Sequence, residues 1–227
     1  MRRNANSRLL PSTIALLLAL GSLCSLASAA TITIGTNTAG NAFPFDFPGY
    51  SGEYQQVYSA ASFSGPMQIR QITFFPFSVL PSITGTYAIS LSTTSAGVSS
   101  LTTYANNIGP DNALFFSGSV SGVLSFGGVP FLYDPSHGNL LMDVHVIIPN
   151  NTAGSLAAGC STATNREFNS SGNGSPVIGL STCPGGSNGL QTQFSTVFST
   201  VTEPGTLMLL SIGLLGLGST IRLKLRS

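Results

Sequence analysis

Charge is the scarcest thing in this 227-residue chain: Asp, Glu, Lys and Arg together make 7% of it. There is no tryptophan, and there are only two histidines and three cysteines. Each shortage removes a class of chemistry. So few His and Cys residues give no zinc-ligand spacing, no serine stands in a Gly-x-Ser-x-Gly elbow, and Gly127-Gly128 lacks the lysine of a phosphate loop. Of the eight cations only Arg70 and Arg166 fall between residues 31 and 202, against the six acids Asp46, Glu53, Asp111, Asp134, Asp143 and Glu167. Two cations against six acids leave that region at −4, so it has no basic footprint for nucleic acid and DNA or RNA binding is excluded.

The remaining positive charge sits at the two ends. Arg2, Arg3 and Arg8 precede an apolar run from Leu9 to Leu26, and Ala27-Ser28-Ala29 satisfies the small-x-small rule for cleavage. Residues 1–29 therefore read as a signal peptide, helical in its apolar part, with Ala27 and Ala29 marking the signal peptidase site. Cys24 leaves with it, because Leu23 occupies the position where a lipidation site needs a small residue. At the other end, Thr202-Glu203-Pro204-Gly205 leads into an uncharged stretch from 206 to 221, followed by Arg222, Lys224 and Arg226. Sixteen helical residues cover ~24 Å, enough to cross a ~30 Å hydrocarbon core when the ends snorkel. The cationic end predicts a cytoplasmic C-terminus and places everything before the span outside.

The Glu203-Pro204 pair, the glycine-spiced leucine run and the terminal basic cluster resemble the PEP-CTERM sorting domain, with Thr202 standing where that family has its first proline. The resemblance implies recognition by an exosortase, a membrane transpeptidase-like enzyme of exopolysaccharide-producing bacteria. It implies a protein held at the inner membrane by its C-terminal helix, then delivered to the cell surface or the exterior. It assigns no catalytic residue, since family members are the substrates of processing.

Residues 30–200 form the ectodomain between signal and sorting tail (201–227). A stretch of this size buries ~70% of the surface its unfolded chain exposes and can hold its own core. Tyr87, Ile89 and Leu91 alternate with Thr86, Ala88, Ser90 and Ser92, and Met142, Val144, Val146 and Ile148 alternate with Asp143, His145 and Ile147. This period of two marks half-buried strands. Phe194 and Phe198 flank Thr196 in the same way. Further strands are predicted around 53–59, 67–75, 114–120 and 175–180, with Gly, Pro and Asn between them. With no helical period in the ectodomain, the fold class is all-β: an antiparallel two-sheet sandwich, jelly-roll-like, packed by Phe and Tyr. Residues 151–174, rich in Ala, Gly, Ser and Asn, read as one long loop.

Cys160 and Cys183 are the two cysteines left after export, and an oxidising compartment favours their pairing. The loop so closed would contribute ~3 kcal/mol in the chain-entropy picture. Asp143 and His145 share one face of their strand, opposite Met142, Val144 and Val146; the pair could bind a metal or act as base and orienter, or form part of an ordinary polar outer face. His137 lies in a run of turn formers. Asp46, Asp111 with Asn112, and Asp134 sit in turns, where calcium could be held and where Asp is equally favoured for its own backbone hydrogen bonds. No catalytic residue, cofactor or metal ligand is assigned on this reading.

Two functions remain. The first is a non-enzymatic surface or matrix protein with an adhesive, structural or glycan-contacting role, with exopolysaccharide as a partner and a shallow aromatic groove drawn from Tyr50, Tyr54 or Tyr133. The alternative is a secreted carbohydrate-active hydrolase whose acids assemble only in the fold, which needs two carboxylates, or a carboxylate and His, converging in a cleft. Segments such as Tyr54-Gln55-Gln56-Val57-Tyr58 and Gly138-Asn139-Leu140-Leu141-Met142-Asp143-Val144 resemble ectodomains recurrent in PEP-CTERM proteins, a likeness that implies a β architecture and no biochemistry.

Overall fold

Alternating apolar and polar residues over 86–92 and 142–148 make two long strands that pair side by side at the centre of a sheet. The computed structural model describes residues 29–77, 83–122, 124–169, 177–178 and 187–198. The strands are β1 (Ala29–Ile34), β2 (Ala39–Asn41), β3 (Glu53–Tyr58), β4 (Met67–Phe74), β5 (Ile83–Thr94), β6 (Ala113–Gly122), β7 (Ser125–Tyr133), β8 (Asn139–Ile148), β9 (Leu156–Ser161), β10 (Thr164–Phe168), β11 (Val177–Ile178), β12 (Ser187–Leu190) and β13 (Thr192–Phe198). One helical turn, α1 (Tyr104–Asn107), lies between β5 and β6.

All pairings among the described residues are antiparallel, and the chain is all-β as expected. One sheet runs β1-β13-β4-β7, a second β11-β10-β3-β8-β5-β6, and a short third β12-β9-β2. The first two pack face to face. Tyr58 of the second sheet meets Phe194 of the first edge-on, with ring centroids 5.0 Å apart at 84°. Phe45 sits among Phe74, Tyr87 and Phe126 at 4.9 to 5.3 Å. Aromatic mass thus fills the space between sheets, partly edge-to-face (Tyr58–Phe194, Phe45–Tyr87) and partly tilted. Met142, Val144 and Val146 point into this core, and a bulge in β8 at Ile147, opposite Thr86/Tyr87, lets Ile148 turn out, where it is exposed.

Two sequence expectations are corrected. The stretch 151–174 is not one loop, because it carries β9 and β10. Its alanines mislead: Ala157 and Ala158 are fully buried in β9, where neighbouring strands approach closely and small residues fit. The groove tyrosines are also corrected. Tyr50, Tyr54 and Tyr133 are all buried, with their hydroxyls donating inward to Glu53 O, Gln56 Oε1 and Gly138 O.

Beyond the core, the outer face of the second sheet is not bare. The segment between β5 and β6 folds across it, and Leu101 packs on Val57 and Leu141 in a small second core. Gly109 lets this cover lie flat, since a Cβ there would stand 1.8 Å from the Thr93 carbonyl oxygen. Among the described residues no helix is long and apolar enough to cross a membrane. The expected signal helix and the span 206–221 lie outside the described residues.

Candidate functional site

Cross-strand register decides which polar groups meet under that cover. Glu53 of β3 stands opposite His145 of β8, and Gln55 stands opposite both Asp143 of β8 and Glu167 of β10. Residues two apart on a strand share a face, so Glu53, Gln55, Asp143, His145 and Glu167 form one polar layer. The sequence places Asp143 with His145, and the structure agrees: His145 Nε2 lies 3.3 Å from Asp143 Oδ2. Glu53 joins them, and one ligand atom from each of the three lies within 4.8 Å of the others.

The layer is unequally buried. Half of the His145 side chain is exposed, whereas 5% of Asp143 is. Gln55, Glu167 and Asn107 are fully buried. Asn107 of α1 is the link from cover to sheet: its Nδ2 donates to Gln55 Oε1 at 3.1 Å and to Glu167 Oε1 at 2.5 Å. Its Oδ1 accepts from the Thr102 amide at 3.0 Å. Gln55 Nε2 donates to Glu53 Oε1 and to the Tyr104 carbonyl. The Tyr104 and Tyr50 hydroxyls both donate to the Glu53 carbonyl. Two of the layer's carboxylate oxygens, Asp143 Oδ1 and Glu167 Oε2, are buried with no hydrogen-bond partner, as is Asp46 Oδ2 elsewhere.

These environments move the acids upward. Burial raises Glu53 to about 7, helped by the adjacent Asp143 charge and opposed by His145. Burial likewise raises Glu167 to about 7, with the Asn107 hydrogen bond pulling the other way. The hydrogen bond to Asp143 raises His145 despite its partial burial. Among the described residues neither arginine reaches the layer, so His145 is its one basic group. Arg70 is exposed on the first sheet and bonded to Gln68, and Arg166 lies on the opposite face of β10, its guanidinium 4.8 Å over the Phe168 ring.

The other candidates do not converge. Asp134 accepts from the Ser136 amide and lies 3.8 Å from exposed His137. Asp111 accepts from the Thr93 amide. Asp46 is buried against Asn150 Nδ2 and is raised by burial to about 6. Each carboxylate holds its own stretch of backbone or side chain, the ordinary use of Asp in turns.

On the far side of the sandwich, the outer face of the first sheet is a ladder of hydroxyls and amides. Thr31, Ser195, Gln71 and Gly127 form one row, and Thr33, Gln193, Thr73 and Ser125 the next. A depression of about 630 Å³ opens over the first row, where Gly127 has no side chain.

The sorting residues Thr202, Glu203, Pro204, Arg222, Lys224 and Arg226 lie outside the described residues, as do Ala27 and Cys183. Ala29 opens β1, and Cys160 lies in β9 opposite Asn188. Residues 200–222 match the PEP-CTERM protein-sorting motif. The chain carries a PEP-CTERM sorting address. That motif supports export, sorting by exosortase and a cell-surface or extracellular location. Comparison with curated proteins and with solved structures returned no match.

Sequence reasoning found Asp143 and His145 and missed Glu53, Glu167 and Asn107 as their neighbours. A usable signal existed: Glu53/Gln55 and Asp143/His145 are both polar i, i+2 pairs on strands otherwise mainly apolar. Two such strands pair most readily with their polar faces together.

Proposed function

We propose that this is a non-enzymatic surface or matrix protein whose ectodomain contacts exopolysaccharide through the outer face of β1-β13-β4-β7. The observation that carries the reading is the two-row ladder of Thr, Ser and Gln with a glycine-floored depression, joined to a chain bearing a surface-sorting address. Hydroxyl and amide groups on adjacent strands offer the neutral donors and acceptors that sugar hydroxyls match, and low net charge suits a polysaccharide environment. The strand order supports a jelly-roll winding. Numbering β1, β3 to β8 and β13 as one to eight, the sheets run 1-8-3-6 and 2-7-4-5, the two-Greek-key pattern shared by many lectin-like domains. The link from that winding to glycan binding is an analogy of fold.

On this reading signal peptidase removes residues 1–29, the 206–221 helix anchors the chain until exosortase acts, and Cys160 bonds Cys183 in the exported protein. The test is polysaccharide co-sedimentation with Gly127→Leu. A Cβ at 127 meets nothing within 4 Å, so the variant fills the depression without disturbing the fold. Binding by the native chain and its loss in this variant are expected; equal binding by both overturns the assignment of the face.

The hydrolase reading has one observation in its favour, the meeting of Glu53, Asp143 and His145. Retaining glycosidases hold two carboxyl groups ~5 Å apart with the substrate between them. Here Asp143 is only 5% exposed, so a sugar ring cannot lie between it and Glu53. Turnover of a polymer substrate that is lost in Asp143→Asn would reverse this preference.

A further inference from the structure

We propose that Glu53, Asp143 and His145 form a site for one divalent transition-metal ion of the zinc class, on the face of the sandwich opposite the glycan ladder. Three independent features of the layer converge on a cation. The first is the donor set. An imidazole nitrogen with two carboxylates suits Zn2+, Co2+ or Mn2+, whereas Ca2+ prefers oxygen ligands throughout.

The second is spacing. Two donors each ~2.05 Å from a tetrahedral ion stand ~3.3 Å apart. His145 Nε2 and Asp143 Oδ2 are separated by 3.3 Å, and the Glu53 oxygen lies within 4.8 Å of both. A rotation of the partly exposed Glu53 side chain closes the remaining gap.

The third is an unanswered buried group. Asp143 is 5% exposed, and its Oδ1 has no hydrogen-bond partner. A buried carboxylate oxygen without a donor is costly, and buried charges are normally paired or bound to a metal. Asp143 sits beside Glu53 and shares its layer with Glu167, and neither described arginine reaches that layer. A divalent ion would answer Glu53 and Asp143 at once. Three protein ligands leave a further coordination position, which faces solvent on the exposed side of His145 and would take water or an anionic oxygen.

The experiment uses the tag-free full chain, purified in detergent, stripped with EDTA and titrated calorimetrically with Zn2+. Co2+ provides a second readout through its visible absorption. We expect one Zn2+ per chain, and Co2+ bands of tetrahedral or five-coordinate type. His145→Ala should weaken binding about 100-fold, since one of three ligands is lost, and Asp143→Asn should do the same. His145 is half exposed, so its variant tests the site without endangering the fold. His137→Ala, beside Asp134, should bind as the native chain does. Binding unchanged in both His145→Ala and Asp143→Asn overturns the proposal, as does the absence of stoichiometric binding, or displacement of Zn2+ by equimolar Ca2+. The glycan co-sedimentation reads the other face and can fail without affecting this result.

Discussion

Asn107→Asp is the sharpest probe of how the cover is held on the second sheet. The exchange is nearly isosteric and keeps the Oδ1 acceptor for the Thr102 amide, so any cost comes from turning one amide into an oxygen. In the native chain that amide donates to Gln55 Oε1 at 3.1 Å and to Glu167 Oε1 at 2.5 Å. Losing the neutral bond costs about 1 kcal/mol and losing the bond to a carboxylate about 1.5–3 kcal/mol. Near pH 8 the total is about 2.5–4 kcal/mol, with two buried carboxylates facing each other. The two acids cannot both stay ionised at that distance, so as pH falls one proton comes to be shared between them and restores a hydrogen bond. Glu167 already holds its proton up to about pH 7. The deficit should therefore shrink to about 1–2 kcal/mol at pH 5.

The measurement is thermal unfolding followed by far-UV circular dichroism in EDTA, since the chain has no tryptophan to report by fluorescence. For a domain of this size about 1 kcal/mol moves Tm by ~2–4 °C. We expect Tm to drop by about 8–12 °C at pH 8 and by about 3–6 °C at pH 5. An equal drop at both pH values would show that the Glu167 contact does not hold the cover. A drop below about 2 °C at pH 8 would show that Asn107 holds nothing at all.

Two further outcomes follow from buried groups elsewhere. Asp46 has a folded-state value near 6 against an ordinary 3.8, so folding takes up a proton between those values and stability is lost as pH rises through 6. The ceiling is about 3 kcal/mol, discounted for screening to about 1–2 kcal/mol; Asp46→Asn should flatten the fall in Tm between about pH 4 and 6, and an unchanged slope would place the titration elsewhere. Gly109→Ala pushes a Cβ to within 1.8 Å of a backbone oxygen that cannot yield, so a loss of about 2–3 kcal/mol and faster amide exchange over 101–109 are expected. Native-like exchange there would show that the cover tolerates displacement.

The strands that were legible are those whose two faces differ. β5 and β8 alternate cleanly because one face enters the core, and β3, β4, β6 and β13 fall within a few residues of where their Val, Ile, Phe and Tyr content places them. The missed strands fail for separate physical reasons. β7 contains Gly127, Gly128 and Pro130, which read as a turn, yet it is the edge strand of its sheet, where an absent N–H is tolerated. β9 packs with Ala157 and Ala158, where closeness to β2 and β12 replaces side-chain bulk. β10 is mostly polar although both its faces are covered: Glu167 is buried under α1, and Thr164 is buried on the opposite face.

The same logic explains why the candidate site was only half visible. The pairing of Asp143 with His145 is a property of one strand and can be read from spacing alone. Adding Glu53 requires the register between β3 and β8, which are about 90 residues apart in sequence. Adding Asn107 requires knowing that the β5–β6 connection folds back over the sheet. A histidine and an aspartate on an open polar face would be an ordinary solvated pair. Covered by α1 and placed beside a second carboxylate, the same two residues become a desolvated, acid-rich layer whose charge must be met by protons or by a metal ion. Burial by a distant segment, more than the identity of either residue, is what turns this stretch of surface into a site.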